Sequence, residues 1–306
     1  RDTDRSRGLG DVYKRQDTSF VTLTNSGTEV ARLQLTHSNP VMKNNENRFL
    51  TYGIGSASYE ISSFDETLYS GNAENKIYTG DVASNGTYCL VTEDNGYLTT
   101  LYAYSKNNNR IYKYSFSEYY ITSVAINKDG SGCVATGVSS DKGSAVTGVY
   151  VLDFSQEKPV STYKISGDSV LDCKYLTSDT AVLVGSQASY IVKKGEKNYK
   201  TVSYEDKTLS NYCFNTDTST YTMALSRSGD GRSVALISYN SNGEAQYTIN
   251  TEHKADSLSV YKGTVAILDG NVVYGYNQNG DLLYSTNSGT LSLIHISEPT
   301  RPISIS

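Results

Sequence analysis

The chain has 306 residues, with 27 Lys and Arg, 32 Asp and Glu, a formal net charge of −5, 27 Tyr and no Trp. Mild acidity without a basic block or stripe lacks the electrostatic footprint of a nucleic-acid binder. No stretch reaches the roughly 18 apolar residues of a membrane-spanning helix, and the length is that of one large all-β domain.

The two ends read as foreign sequence. Residues 6–16 (SRGLGDVYKRQ) and 291–301 (LSLIHISEPTR) back-translate to reverse complements of each other over eleven codons. Unrelated protein segments have no physical reason to be codon-level inverted repeats, and both strings resemble the transposase adapter of sequencing libraries. Residues 1–16 and 291–306 are therefore read as adapter-derived and left out of fold reasoning. What remains, 17–290, is expected to be a single domain from a longer gene. Six of the 27 basic and four of the 32 acidic residues lie in those ends, so 17–290 carries 21 basic and 28 acidic residues, net −7.

Within 17–290, Tyr and β-branched residues are cut at short intervals by Asn, Asp and Gly, which predicts strands throughout. No convincing 3.6-residue apolar stripe predicts a helix. In chain order, a hairpin over 20–33 turns at Gly27, and a less regular pair joins 41–47 to 49–52. Then 59–70 turns near Asp65, 81–91 forms a second type of hairpin, and 101–114 turns near Asn108. In ITSVAINKDGSGCVAT (121–136), two apolar runs flank the turn Asn127-Lys128-Asp129-Gly130. A hairpin at 149–165 turns near Glu157, 169–179 pairs with 181–184, and 190–204 turns at Gly195. Residues 209–217 pair with 222–225, 235–249 turns at Gly243, 258–263 pairs with 265–268, and 272–286 turns at Gly280.

Two kinds of hairpin alternate in this series. Turns of the first kind (Gly27, Asp65, Asn108, Glu157, Gly195, Gly243, Gly280) are spaced by 38, 43, 49, 38, 48 and 37 residues. A period near 42 with four short strands per unit is the size of a propeller blade. Hairpins of the second kind carry continuous small apolar runs (CVAT, TAVLVG, TVAIL), as expected of strands covered on both faces. The first kind alternates with Tyr and faces water. The predicted fold is an all-β propeller with six full four-stranded blades and one partial blade, a seven-bladed ring truncated at its seam.

The segments SNPVMKNNENRFLTYG (38–53), SNGTYCLVTEDNGYLTTLYAY (84–104) and ITSVAINKDGSGCVATGV (121–138) resemble an uncharacterised family of Firmicutes proteins, domains of unknown function. In that family one N-terminal transmembrane helix precedes an extracytoplasmic propeller-like domain. The resemblance runs from about 20 to 286 and implies an anchor upstream of residue 17. It implies no activity and no site residues. Other propeller classes fit less well: there is no Trp-Asp dipeptide, no double-Gly kelch pattern, and no Trp for sialidase boxes or quinoprotein docking.

Candidate chemistry is sparse. Cys89, Cys133, Cys173 and Cys213 are widely spaced in predicted inner strands and lack the two-residue spacing of zinc or redox motifs. They read as buried free thiols, a disulfide being the alternative. His37 and His253 are too few for a three-His metal site, and no Gly-x-Ser-x-Gly elbow accompanies them. Acidic residues sit in turns: Glu93-Asp94, Glu205-Asp206, Asp217 and Asp230. The run Asn277-Gln278-Asn279-Gly280-Asp281 resembles half a calcium loop without its closing Glu, and type I′ turn chemistry accounts for it equally well. Tyr78, Tyr97, Tyr119, Tyr120 and Tyr212 are positioned to stack on sugars, to meet a protein, or to pack between blades.

No catalytic, cofactor-binding or metal-binding residue is assigned, and no cofactor is expected. The expected function is a monomeric, non-catalytic binding or scaffold module outside the cytoplasmic membrane, tethered through the missing anchor. Its partner would be an unknown protein or a cell-envelope glycan, and not nucleic acid. Two alternatives stay open: a glycan-active enzyme using carboxylates at the channel mouth, and a structural partner in a cell-envelope complex. The enzyme requires two or three acidic or His side chains converging in one axial pocket. The binding module requires a concave face lined by Tyr and Asn with no perturbed titratable group.

Overall fold

The computed structural model describes residues 40–287, except Asp65 and 228–231, together with the backbone course of three strands at Val12–Gln16, Ser19–Leu23 and Glu29–Gln34. Every regular element among the described residues is a strand. Six four-stranded antiparallel sheets follow one another over 40–72, 77–116, 120–166, 170–203, 208–251 and 257–287, here called sheets one to six. Each is a meander whose strands pair in chain order, as short connections require of antiparallel neighbours.

The hairpins expected of the second kind are the first and second strands of these sheets, and those of the first kind are the third and fourth. Four-stranded sheets number six, against an expectation of seven blades, and the remaining sheet has the three strands at 12–34. Its strand Val12–Gln16 lies in the segment set aside as adapter. Ladders are built from backbone groups, so this pairing with Ser19–Leu23 is indifferent to where the side chains came from. The turn predicted near Asp65 lies outside the described residues.

The core consists of apolar layers between successive sheets. Leu50, Tyr52 and Ile61 of sheet one meet Ile77, Tyr88 and Leu90 of sheet two. Val91, Leu101 and Phe116 then meet Ile121, Ile126 and Leu152 of sheet three, and comparable layers join sheets three to four, four to five and five to six. Each fully buried Leu, Ile or Phe contributes about 1.5–3 kcal/mol through removal from water. The second strands Tyr88–Thr92 and Thr180–Gly185 are buried at every position, which is why they read as unbroken apolar runs. The fourth strand Ser161–Ser166 instead alternates in exposure along its length.

The turn chemistry at 277–280 differs from the type I′ expectation. The Gly280 N–H donates to the Asn277 carbonyl at 3.0 Å, and glycine is the one member with positive φ, at 90°. A type I′ turn needs positive φ at both central residues, so this is a type I turn closed by a left-handed glycine. The reason lies in Asn277, whose Oδ1 accepts the N–H groups of Asn279 and Asp281 at 3.0 and 2.9 Å. That side chain closes the turn with only one left-handed residue. Asp281 in turn accepts from Asn277 Nδ2 at 2.8 Å, which consumes the carboxylate of the half calcium loop.

Candidate functional site: the axial cavity

The first strands of all six sheets converge on a cavity of about 380 Å³. Sheet one contributes 42–46, sheet two Asp81, sheet three Val124, sheet four 172–174, sheet five 211–217 and sheet six Val260. A first strand has its hairpin partner on one edge and the axis on the other, which leaves its inner side chains facing their counterparts across the ring.

Two carboxylates and two ammonium groups meet there. Lys43 Nζ lies 3.6 Å from Asp172 Oδ1, and Lys174 Nζ lies 3.9 Å from Asp81 Oδ1. Lys174 also donates to the Asn44 carbonyl at 3.4 Å. Burial works against the Lys43 ammonium, but Asp172 and then Asp81 outweigh it and hold its pKa above the ordinary lysine value. Asp172 accepts from the Cys173 N–H at 2.9 Å, Ser123 Oγ at 3.3 Å and the Tyr212 hydroxyl at 3.2 Å. Burial first and Asp172 second push the Tyr212 hydroxyl pKa up.

Asp81 is only 2% exposed. Its Oδ2 accepts the Ile126 N–H at 2.9 Å, while Oδ1 has no hydrogen-bond partner and faces Lys174. The cluster therefore links sheets one, two, three, four and five across the axis with no net charge. A buried ion that loses its partner is costly, so these contacts hold one another in place.

The structure sorts the residues singled out from sequence. Tyr212 and Asp217 line the cavity, with Asp217 exposed at its mouth, and Cys173 and Cys213 line it as well. All four cysteines are free thiols, Cys213 being half-buried. Burial pushes the Cys173 and Cys213 thiols up to about 12 and Cys89 and Cys133 well above the usual thiol value. Cys173 also shares a 3.1 Å contact with Ser123 Oγ.

The turn acids are spread over the rim. Asp94 accepts from the N–H groups of Gly96 and Tyr97 and from Thr100 Oγ1, Glu93 pairs with Lys76, and Glu205 pairs with Lys207. His253 stacks on Tyr274 with ring centroids 3.6 Å apart and has Nδ1 3.4 Å from Asp269. Tyr97 and Tyr120 are exposed and Tyr78 and Tyr119 half-buried. His37 and Asp230 lie outside the described residues. Among the described residues no three His, Cys, Asp or Glu gather into a group suited to a metal ion.

Sequence reasoning missed Lys43, Asp81, Asp172 and Lys174. The signal was present: each is a charged residue inside a strand predicted to be inner, where charge is expensive unless paired. Asp81, Asp172 and Asp217 line the same cavity as Tyr212 and four asparagines, so features expected of both rival functions occur together. The shifted Lys43, Cys173 and Tyr212 depart, however, from the expectation that a binding face holds no perturbed titratable group.

Comparison with known proteins extends this picture to fold and family. The C-terminal WD40 domain of Sif2 superposes with a TM-score of 0.59 at 16% identity, covering 92% of this chain and 76% of that one. BamB from Moraxella catarrhalis gives 0.55 at 12% identity, over 81% and 75% of the two chains. A functionally unknown protein from Desulfotomaculum acetoxidans DSM 771 gives 0.61 at 11% identity, over 91% and 95%. At such identities the likeness is one of fold, and propellers of one fold serve many functions. No curated protein matches the sequence. Residues 10–300, which take in all of 17–290 and parts of both end segments, match a family profile described as "Family of unknown function (DUF5711)". The chain is thus a β-propeller domain, and it belongs to the DUF5711 family of unknown function.

Proposed function

We propose that this propeller acts by binding and not by catalysis, as an extracytoplasmic module tethered to the cell membrane in the full-length protein. Its partner in this reading is a cell-envelope glycan or a protein. The observation that carries the non-catalytic reading is the state of the axial carboxylates. Glycoside hydrolysis needs two carboxyl groups that both reach the scissile bond. Of the four carboxylates lining the cavity, Asp172 is held by Lys43, Ser123, Tyr212 and a backbone N–H, and Asp81 is sealed at 2% exposure, out of reach of a substrate. Glu46 lies 4.0 Å from Lys128, which leaves Asp217 alone unpaired at the mouth among the described residues. The location rests on the likeness of 38–53, 84–104 and 121–138 to anchored extracytoplasmic proteins.

In the same reading the three-stranded sheet is a seventh, incomplete blade, the ends 1–16 and 291–306 are adapter-derived, and the domain works as a monomer. Two experiments test these statements. The purified chain is incubated with p-nitrophenyl glycosides and with peptidoglycan, beside Asp172→Asn. No release of product is expected, and turnover lost in the variant would overturn the non-catalytic reading. The locus is also amplified directly from genomic DNA without a transposase library. An upstream apolar span of about 20 residues is expected. A native gene reading through LSLIHISEPTR would refute the adapter origin, and the absence of a span would refute the tether.

A further inference from the structure

A groove of about 470 Å³ lies between sheets two and three, away from the axis, and is lined by tyrosines 114, 119, 150 and 163 with Glu118 and Thr162 among its other walls. That volume falls in the range of small-ligand sites, about 300–1,000 Å³. Tyr150 is its centre, with the ring centroids of Tyr114 and Tyr119 each 6.1 Å away and Phe116 packed edge-on behind it at 5.0 Å.

Tyr119 is seated by an unusual pair of residues. Gly137 and Gly148 face each other in register at the middle of two long strands. A Cβ on Gly148 would fall 2.6 Å from ring atoms of Tyr119, and one on Gly137 would fall 2.8 Å from its Cβ. The ring therefore lies against bare backbone, and glycine inside a strand marks such a close approach. Covering a glycine with an aromatic ring is also a stabilising device in its own right. The same device recurs where Tyr284 covers Gly275, its partner across the ladder. Sheet stability alone accounts for that second case.

The groove has something the second case lacks. Glu118 is exposed and makes no hydrogen bond or ion pair among the described residues, and the hydroxyls of Tyr114, Tyr119 and Tyr150 are equally without partners. Glu118 and the three tyrosines line the same groove, and burial first, then the Glu118 carboxylate and the neighbouring tyrosines, push the Tyr150 hydroxyl up to about 12. The one cation of the groove, Lys164, is committed to Asp141 at 3.2 Å. The unpaired polar side chains are therefore one acceptor of charge −1 and the hydroxyls of Tyr114, Ser117, Tyr119, Tyr150 and Thr162, set around half-buried aromatic rings.

That arrangement matches a pyranose, which has an apolar C–H face and a belt of hydroxyl groups. We propose that this groove is a saccharide-binding site that takes a neutral glycan, stacking one sugar ring on Tyr119, with Tyr150 set at 70° beside it, while vicinal hydroxyls donate to Glu118. An anionic sugar is disfavoured, because the uncompensated charge in the groove is negative. This inference rests on the binding reading above and names its ligand; the site is separate from the axial cavity, so a failure here would leave the protein-partner form of that reading standing.

Affinity gel electrophoresis of the chain through mixed-linkage β-glucan, glycol chitin and yeast mannan tests the proposal, with polygalacturonate as the anionic comparison. At least one neutral polymer is expected to retard the chain. Glu118→Gln should weaken retardation by about tenfold, the worth of one charge-assisted contact, Tyr119→Ala, which removes the stacking platform, by about as much, and Tyr284→Ala should leave it within about twofold. Glu118 is exposed, so its isosteric variant keeps the fold, and near-ultraviolet circular dichroism checks Tyr119→Ala. The proposal is overturned if none of the three neutral polymers retards the chain, if only polygalacturonate does, or if retardation survives both groove variants.

Discussion

The axial cavity and the groove between sheets two and three each bring a tyrosine and a carboxylate to one space, and they differ in whether the protein itself pairs those groups. At the axis, the Tyr212 hydroxyl donates to Asp172, and Asp81 is almost sealed from water, facing Lys174. In the groove, Tyr150 and Glu118 line one space with neither group paired within the protein. Water supplies the missing partners in the groove and is excluded from Asp81. A polar group deprived of water must find its partner inside the fold, so the axial cluster holds sheets together. The groove keeps its hydrogen-bonding capacity for a ligand.

Removing the two carboxylates should separate these roles most sharply. Asp81→Leu leaves Lys174 without its acid and the Ile126 N–H without an acceptor, and is expected to cost about 3–5 kcal/mol in urea unfolding. Glu118→Gln should stay within about 0.5 kcal/mol of the parent in the same measurement. Equal losses in the two variants would break the comparison. The next effect belongs to the seat of Tyr119: Gly148→Val drives a branched side chain into the ring and should destabilise by about 1–3 kcal/mol through overpacking. A neutral result there would mean that Tyr119 swings away freely.

Hydroxyl deletions give a finer test. Tyr212→Phe removes a hydrogen bond to a charged acceptor and should cost about 1.5–3 kcal/mol, whereas Tyr150→Phe should leave unfolding unchanged. One modest effect lies outside both regions. Asp153 accepts from Lys194 Nζ at 2.8 Å and from Ser155, which hold its pKa down to about 2. With the folded value below an unfolded value of about 3.9, this contribution is complete above about pH 4 and is lost as pH falls toward 2. The pair is partly exposed, so about 0.5–1 kcal/mol is expected. Asp153→Asn should remove that much of the acid sensitivity between pH 4 and 2 in stability curves.

Much of the fold was legible because its signals are local. The alternation of Tyr in 101–114 and the unbroken run TAVLVG at 180–185 report how many faces of a strand are covered, and each strand is found where its pattern placed it. The turn at 277–280 was misjudged in type because Asn-Gly chemistry depends on whether the asparagine bonds its own turn, which Asn277 does. Tyr119 was singled out as a surface tyrosine, yet its seat over Gly137 and Gly148 was not, because those glycines are eleven positions apart and meet only through the register of their strands. The axial charges are harder to place, because a single Lys or Asp in an apolar strand implies a buried partner without naming it.

The sequence by itself determined the strand class, the positions of the hairpins and the four-strand period, since side-chain alternation and turn chemistry act over a few neighbouring residues. Only the tertiary structure decided the contents of the axis. Lys174 reaches the Asn44 carbonyl across 130 positions of chain, and Asp172 gathers donors from sheets three, four and five. Those meetings follow from wrapping successive sheets around one axis, and nothing in the local pattern of any strand encodes which residue will stand opposite.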